Sequence, residues 1–216
     1  MFEAAKLASR FMKFSAHGYN GISFLKKEIE KKAIEHNLSR HTIDKDWVLG
    51  HLMDAIFSID KCKKELIFKG GTCLRKCYIT NYRFSEDLDF TAIDPGFVFD
   101  EALLTKIIEL VTVRTEISLY IDRVTQLKHD DKPTGYSAII KFWGADHSKD
   151  QAPPAAQRWT TSIKIEIIQY EKMIFPIVSR PVAHEYSDEL SPAVRAISCY
   201  SVPRKRRILS ILVNLY

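Results

Sequence analysis

From Ile22 to Ile34, apolar residues recur at three- and four-residue steps (Ile22, Leu25, Ile29, then Ala33 or Ile34) with lysines and glutamates between them. That spacing predicts an amphipathic helix. A second helix is expected from about Asp44 to Ser58, with Trp47, Val48, His51, Leu52 and Ala55 on one side and Ser39 or Thr42 as its cap. Together they make an N-terminal helical segment over residues 1–60. Glu65 to Lys69 reads as a short apolar strand, stopped by Gly70-Gly71, after which Thr72 to Tyr78 reads as a short helix. Asn81 to Ser85 is a loop. From Asp87 to Ala92 the pattern alternates, putting Leu88, Phe90 and Ala92 on one face of a strand and Asp87, Asp89 and Thr91 on the other.

Asp94-Pro95-Gly96 ends that strand, and helical periodicity returns from Asp100 to Val113. Ile117 to Gln126 and Tyr136 to Phe142 alternate around a turn segment from Asp130 to Gly135, which predicts a hairpin. Gly144 to Arg158 is a loop. Ser162 to Ile168 is a strand that places Lys164 and Glu166 on one face. Beyond it the pattern weakens, apart from a candidate strand at Ala196 to Ser201. The end is basic over Arg204 to Arg207 and then apolar. Helices and strands in this order give an α+β class, with a mixed sheet flanked by helices.

Composition narrows the picture a little. The chain has 216 residues, 46% of them hydrophobic and 27% charged, which excludes wholesale disorder and suits one packed domain. The net charge of +5 is compatible with a polyanionic partner without demanding one. No apolar run reaches membrane-spanning length, no signal peptide opens the chain, and the four cysteines form no CxxC pair, so a cytoplasmic location away from membranes is expected. The seven histidines are scattered, with no sequence cluster.

Candidate chemistry concentrates in FKGGTCLRKCYITNYRFSEDLDF, Phe68 to Phe90. Residues two apart in a strand share a face about 6 to 7 Å apart, so Asp87 and Asp89 reach one small volume. Two carboxylates so placed repel unless a cation joins them. Magnesium takes oxygen ligands, typically one or two carboxylates supplemented by phosphate oxygens and water. Gly70-Gly71 before a helix start aims bare N–H groups and a positive dipole end at an anion. Thr72 can cap that helix or donate to a phosphate, and Ser85 can donate from the opposite side. Lys69, Arg75 and Arg83 are the nearest cations, although each arginine has an alternative reading as a surface partner of Glu86. The carboxylate pair matches magnesium together with a nucleotide, and the chemistry implied is phosphoryl or nucleotidyl transfer.

The stretch from Ile43 to Phe90, with IDKDWVLGHL and FKGGTCLRKCY followed by RFSEDLDF, resembles the nucleotidyltransferase toxins of the AbiEii family, the toxin half of type IV toxin–antitoxin systems. The resemblance extends more loosely to Tyr200-Ser201. It implies a polymerase-beta-like nucleotidyltransferase core over residues 61–202, magnesium as cofactor, a nucleoside triphosphate as substrate, an RNA acceptor with transfer RNA foremost, and an antitoxin partner. By motif, Gly70, Gly71 and Ser85 inherit nucleotide contacts, and Asp87 and Asp89 inherit the metal. Lys69, Thr72 and Arg83 stand beside them as candidate nucleotide contacts. Glu166, in SIKIEI, is the candidate third carboxylate of the catalytic set, or else a strand residue paired with Lys164.

The family's usual continuation, a helix of the type EEILAEK and an Arg-Asp helical motif, is replaced here by PRKRRILSILVNLY. Residues 203–216 therefore read as an atypical tail from truncation or frameshift. This leaves two other expectations open: a catalytically impaired fragment that binds only nucleotide or antitoxin, and an enzyme that nucleotidylates protein.

Overall fold

The computed structural model describes residues 18–79, 82–145, 147, 152–172, 177–190 and 196–200, with backbone alone over 18–24 and 196–200. The tail at 203–216, including Arg204 to Arg207, lies outside the described residues. Helix α1 (Gly18–His36) leads into α2 (Arg40–Ser58), whose cap is Ser39: its hydroxyl oxygen accepts the Thr42 N–H at 3.1 Å. Every residue of α2 from Ile43 to Phe57 is buried. A helix buried on all sides belongs to the interior, and α2 packs against α1 and against α5 (Glu101–Thr115).

Helix α3 (Asp60–Glu65) feeds strand β1 (Leu66–Lys69), which runs directly into helix α4 (Gly70–Cys77). The remaining strands are β2 (Leu88–Ala92), β3 (Ser118–His129), β4 (Lys132–Trp143), β5 (Ser162–Ile168), β6 (Ile177–Pro181) and β7 (Ala196–Tyr200). They form one mixed sheet of order β3-β4-β5-β2-β1-β7-β6. β2 is antiparallel to β1 and parallel to β5, and β1 is parallel to β7. The expected α+β architecture is present, and among the described residues no helix is long and apolar enough to cross a membrane.

One face of the sheet is dry. Phe68, Leu88, Phe90, Ile163, Ile165 and Ile167 are fully buried and join the α2 residues Trp47, Leu52 and Phe57 in a single hydrophobic cluster. The opposite face of the central strands carries the polar row. Register pairs Lys69 with Asp89 across β1 and β2, and Asp89 with Glu166 across β2 and β5.

Four details differ from the sequence expectation. Helix α4 begins at Gly70, so both glycines lie inside it. Strand β2 begins at Leu88, leaving Asp87 just ahead of the ladder. The β3–β4 hairpin is longer than expected, because Asp130 and Asp131 both adopt positive φ (47° and 61°), as a tight two-residue hairpin turn requires, and β4 resumes at Lys132. β6 falls where the pattern had weakened. Its residues are mostly exposed, so no alternation between core and solvent marks it.

Candidate active site

The glycine turn touches the carboxylate strand. Gly70 sits at φ +77°, and a Cβ built on it would fall 2.1 Å from Asp89 Oδ2. Only glycine both tolerates that backbone and leaves room for the carboxylate. A Cβ on Gly71 would fall 2.9 Å from Ser85 Oγ and 3.9 Å from an Arg83 guanidinium nitrogen. The fold thus brings Gly70, Gly71, Arg83, Ser85 and Asp89 around the start of α4, whose N-cap, Lys69, makes no side-chain capping bond. The start of a helix presents backbone N–H groups without intrahelical partners, and here that start lies against Asp89 and Ser85.

Asp89 is half-buried, and its carboxyl is held above the ordinary range, first by burial and then by the charges of Asp87 and Glu166. Glu166 is Asp89's neighbour on β5 and ion-pairs with Lys164 on the same strand face. Glu166 therefore stands beside Asp89 and is paired with Lys164, as one of its two sequence readings had it. Lys164 is held above its ordinary value chiefly by the bond to Glu166, with Asp87 and Asp89 adding to it. Three carboxylates, with Lys69 and Lys164 only partly offsetting their charge at Asp89, form an oxygen-rich, repulsive donor set. That chemistry fits a hard divalent cation.

Other candidates are engaged differently than their sequence position suggests. Thr72 is fully buried and donates its hydroxyl to the Asp87 carbonyl at 2.5 Å, tying α4 to the start of the carboxylate strand. Lys69 pairs with Glu171, which also accepts from the Thr91 hydroxyl. Arg75 points away from the turn. Its Nε lies 3.4 Å from Asp46 Oδ1, it donates to the Tyr82 carbonyl at 3.0 Å, and its guanidinium stacks 3.5 Å from the centre of the Phe84 ring. Glu86, expected to pair with the arginines, instead accepts from Lys45 at 2.8 Å.

Sequence reasoning missed Lys45, Asp46 and Glu171. It also took the histidines as scattered, whereas the fold sets His51 and His184 with ring centres 5.0 Å apart. Their ligand atoms and those of Asp188 all lie within 4.8 Å of one another. Hydrogen bonds join these side chains, while His184 Nδ1 stays buried without one among the described residues. His51 Nε2 lies 2.8 Å from Asp188 Oδ2, His184 Nε2 lies 3.1 Å from Oδ1, and the Trp47 indole N–H donates to Oδ2 at 2.8 Å. Two imidazoles also suit softer metals than magnesium, so this clasp is separate from the carboxylate row.

Residues 51–204 match the model of the family described as Nucleotidyl transferase AbiEii toxin, Type IV TA system. That span is more than half of the chain and contains the glycine turn and all three carboxylates. No curated protein matches the chain.

Proposed function

The chain belongs to the AbiEii nucleotidyltransferase toxin family, and from that footing we propose that it transfers a nucleotide from a nucleoside triphosphate to an RNA acceptor, foremost transfer RNA, with magnesium as cofactor and a cognate antitoxin as partner. The N-terminal helical segment and the core work as one domain in this reading. The observation that carries it is the contact between the Gly70 backbone and Asp89, within the row that continues to Glu166. A phosphate-binding turn and a metal-binding carboxylate need to share a volume, and here a single methyl group would not fit between them.

In this reading the first-turn N–H groups of α4 and the Ser85 hydroxyl hold triphosphate oxygens. Lys69 and Arg83 supply positive charge beside them, and Thr72 holds Asp87 in place through its carbonyl. Asp87 and Asp89 hold magnesium, which when bound neutralises triphosphate charge and polarises the reacting phosphoryl group. Glu166 takes the proton of the acceptor hydroxyl as its oxygen bonds to the α-phosphorus. The bond from that phosphorus to the bridging oxygen breaks, and pyrophosphate leaves. A cytoplasmic setting supplies both substrates.

The test is incubation with each labelled nucleoside triphosphate, total transfer RNA and magnesium. Label should appear on RNA and fall by about 10²-fold or more in Asp87→Ala, the loss expected when several kcal/mol of charge stabilisation disappear. Label on protein instead of RNA, or transfer undiminished in Asp87→Ala, would overturn the reading.

A further inference from the structure

Helix α2 carries three consecutive charged residues, Asp44, Lys45 and Asp46, and all three are buried, at 1%, 7% and 4% exposure. Taking a charge out of water costs several kcal/mol unless partners meet it, so three within one helical turn call for partners with a purpose. Each reaches a different element. Asp44 accepts the Ala145 N–H at 2.9 Å, just after β4. Lys45 donates to Glu86 at 2.8 Å. Asp46 gathers Lys76 at 3.1 Å, the Tyr186 hydroxyl at 3.0 Å and Arg75. Burial raises the Asp46 carboxyl, but Lys76 and Arg75 outweigh it and leave the group below its ordinary value, so it stays ionised.

The destinations of Lys45 and Asp46 flank the proposed site. Glu86 lies between Ser85 and Asp87, and anchoring it toward α2 constrains the backbone that presents both neighbours to the glycine turn. Arg75 and Lys76 lie on α4, the helix that starts at that turn. Arg75 also grips the loop before Ser85 through the Tyr82 carbonyl and the Phe84 ring. One turn of α2 therefore holds both halves of the site, the phosphate turn through Asp46 and the Ser85–Asp87 segment through Lys45. Neither residue sits among the turn and carboxylate residues themselves.

We infer that Lys45 and Asp46 are positioning residues for nucleotide transfer, setting the spacing between the glycine turn and Asp87 by clamping α4 and Glu86 to one turn of α2. The inference rests on the proposed nucleotidyl-transfer reading. Its test uses the full chain, with melting temperature, magnesium-dependent binding of a fluorescent nucleoside triphosphate, and kcat and KM for RNA labelling measured side by side. Lys45→Met should raise the half-saturating magnesium concentration about 10-fold or more, because it frees the Glu86 backbone that presents the neighbouring ligand Asp87, an effect of the size seen when the supports of metal ligands are removed. Lys45→Arg should restore it. Glu86→Gln, at a half-exposed side chain, should reproduce the defect in a folded protein, and the double variant should be no worse than Lys45→Met alone. Asp46→Asn should raise KM for the nucleotide more than it lowers the melting temperature of the nucleotide-free chain would explain.

A folded Lys45→Met or Glu86→Gln whose magnesium half-saturation is unchanged would overturn the inference, as would strictly additive defects in the double variant. If the wild-type chain itself shows neither magnesium-dependent nucleotide binding nor transfer, the proposed function falls and the inference with it. If wild type binds and transfers while these variants change only the melting temperature, the inference alone falls.

Discussion

Alanine at Gly70 tests whether the turn and Asp89 occupy one volume. The new Cβ would lie 2.1 Å from Asp89 Oδ2 and 3.0 Å from the Asp89 Cβ and Cγ. Ordinary non-bonded separations are about 3.5 Å or more, so the carboxylate must move by more than about 1 Å. It has little freedom to do so, lying in register between Lys69 and Glu166. The backbone adds its own penalty, since φ +77° costs a residue with a Cβ about 1–2 kcal/mol. Overpacking contributes about 1–3 kcal/mol. A stiffer unfolded chain returns about 0.4–1 kcal/mol. The net expectation is a loss of about 1–5 kcal/mol of stability, read by urea unfolding. A displacement of about 1 Å at reacting groups costs on the order of 10²-fold, so magnesium-dependent labelling of RNA should fall by about that factor. Gly71→Ala is the internal control. Its backbone is outside the left-handed region, and its Cβ would meet chiefly the Ser85 hydroxyl at 2.9 Å, which a rotation of Ser85 relieves, and the Ser85 Cβ at 3.3 Å, which needs a shift of a few tenths of an ångström. That variant should stay within about 1 kcal/mol of wild type. If Gly70→Ala is no less stable than Gly71→Ala and labels RNA as well as wild type, the turn and Asp89 do not share the volume that the geometry assigns them.

Two further outcomes follow from charge. Because burial, then Asp87 and Glu166, hold the Asp89 carboxyl above its ordinary value, the native state binds that proton more tightly than the unfolded chain. Its contribution to stability is present below the unfolded value and is lost as pH rises through the folded one. Asp89→Asn should therefore melt higher than wild type at neutral pH in a chelator while losing nucleotide transfer, and added magnesium should narrow the gap by stabilising wild type alone. A variant that melts lower than wild type in chelator would contradict this. Asp188→Ala removes an acceptor of bonds from Trp47, His51 and His184, and should cost about 3 kcal/mol in chemical unfolding at neutral pH. Burial raises the Asp188 carboxyl, but the bonds to His184 and His51 outweigh it and leave it well below the usual carboxylate range. That stabilisation is present above the unfolded value and is lost as pH falls through the depressed one, so the gap between wild type and variant should shrink as the solution is acidified below the ordinary carboxylate range. A gap that widens on acidification would refute it.

How much of this was legible in the sequence depends on how far each residue's partner lies along the chain. Gly70, Gly71, Ser85, Asp87 and Asp89 lie within one strand–turn–helix–strand passage, so the sequence grouped them as candidates, and the fold sets Gly70 against Asp89 and Gly71 against Ser85. Glu166 is remote in sequence, yet strand alternation put it on the same face as Lys164, and the register sets it beside Asp89. Glu171 carried no such signal, because it follows the end of β5 and finds Lys69 and Thr91 only through the sheet.

Asp44, Lys45 and Asp46 show where reading by hydropathy stops. A hydrophobic pattern separates residues that prefer water from those that do not, and on that scale three charges at the start of a helix belong outside. Their burial becomes explicable only when the cations and acceptors of α4, the Ser85 loop and the end of β4 are brought to them. The same holds for His51 and His184, scattered as sequence and joined through Asp188 as structure. Local rules fail where polar groups are buried for partners rather than for packing, and functional sites are where such exceptions concentrate. The buried charges of α2, which the sequence reading missed, are therefore informative: they border the proposed site and clasp both of its halves. That is the physical ground for treating Lys45 and Asp46 as part of its architecture.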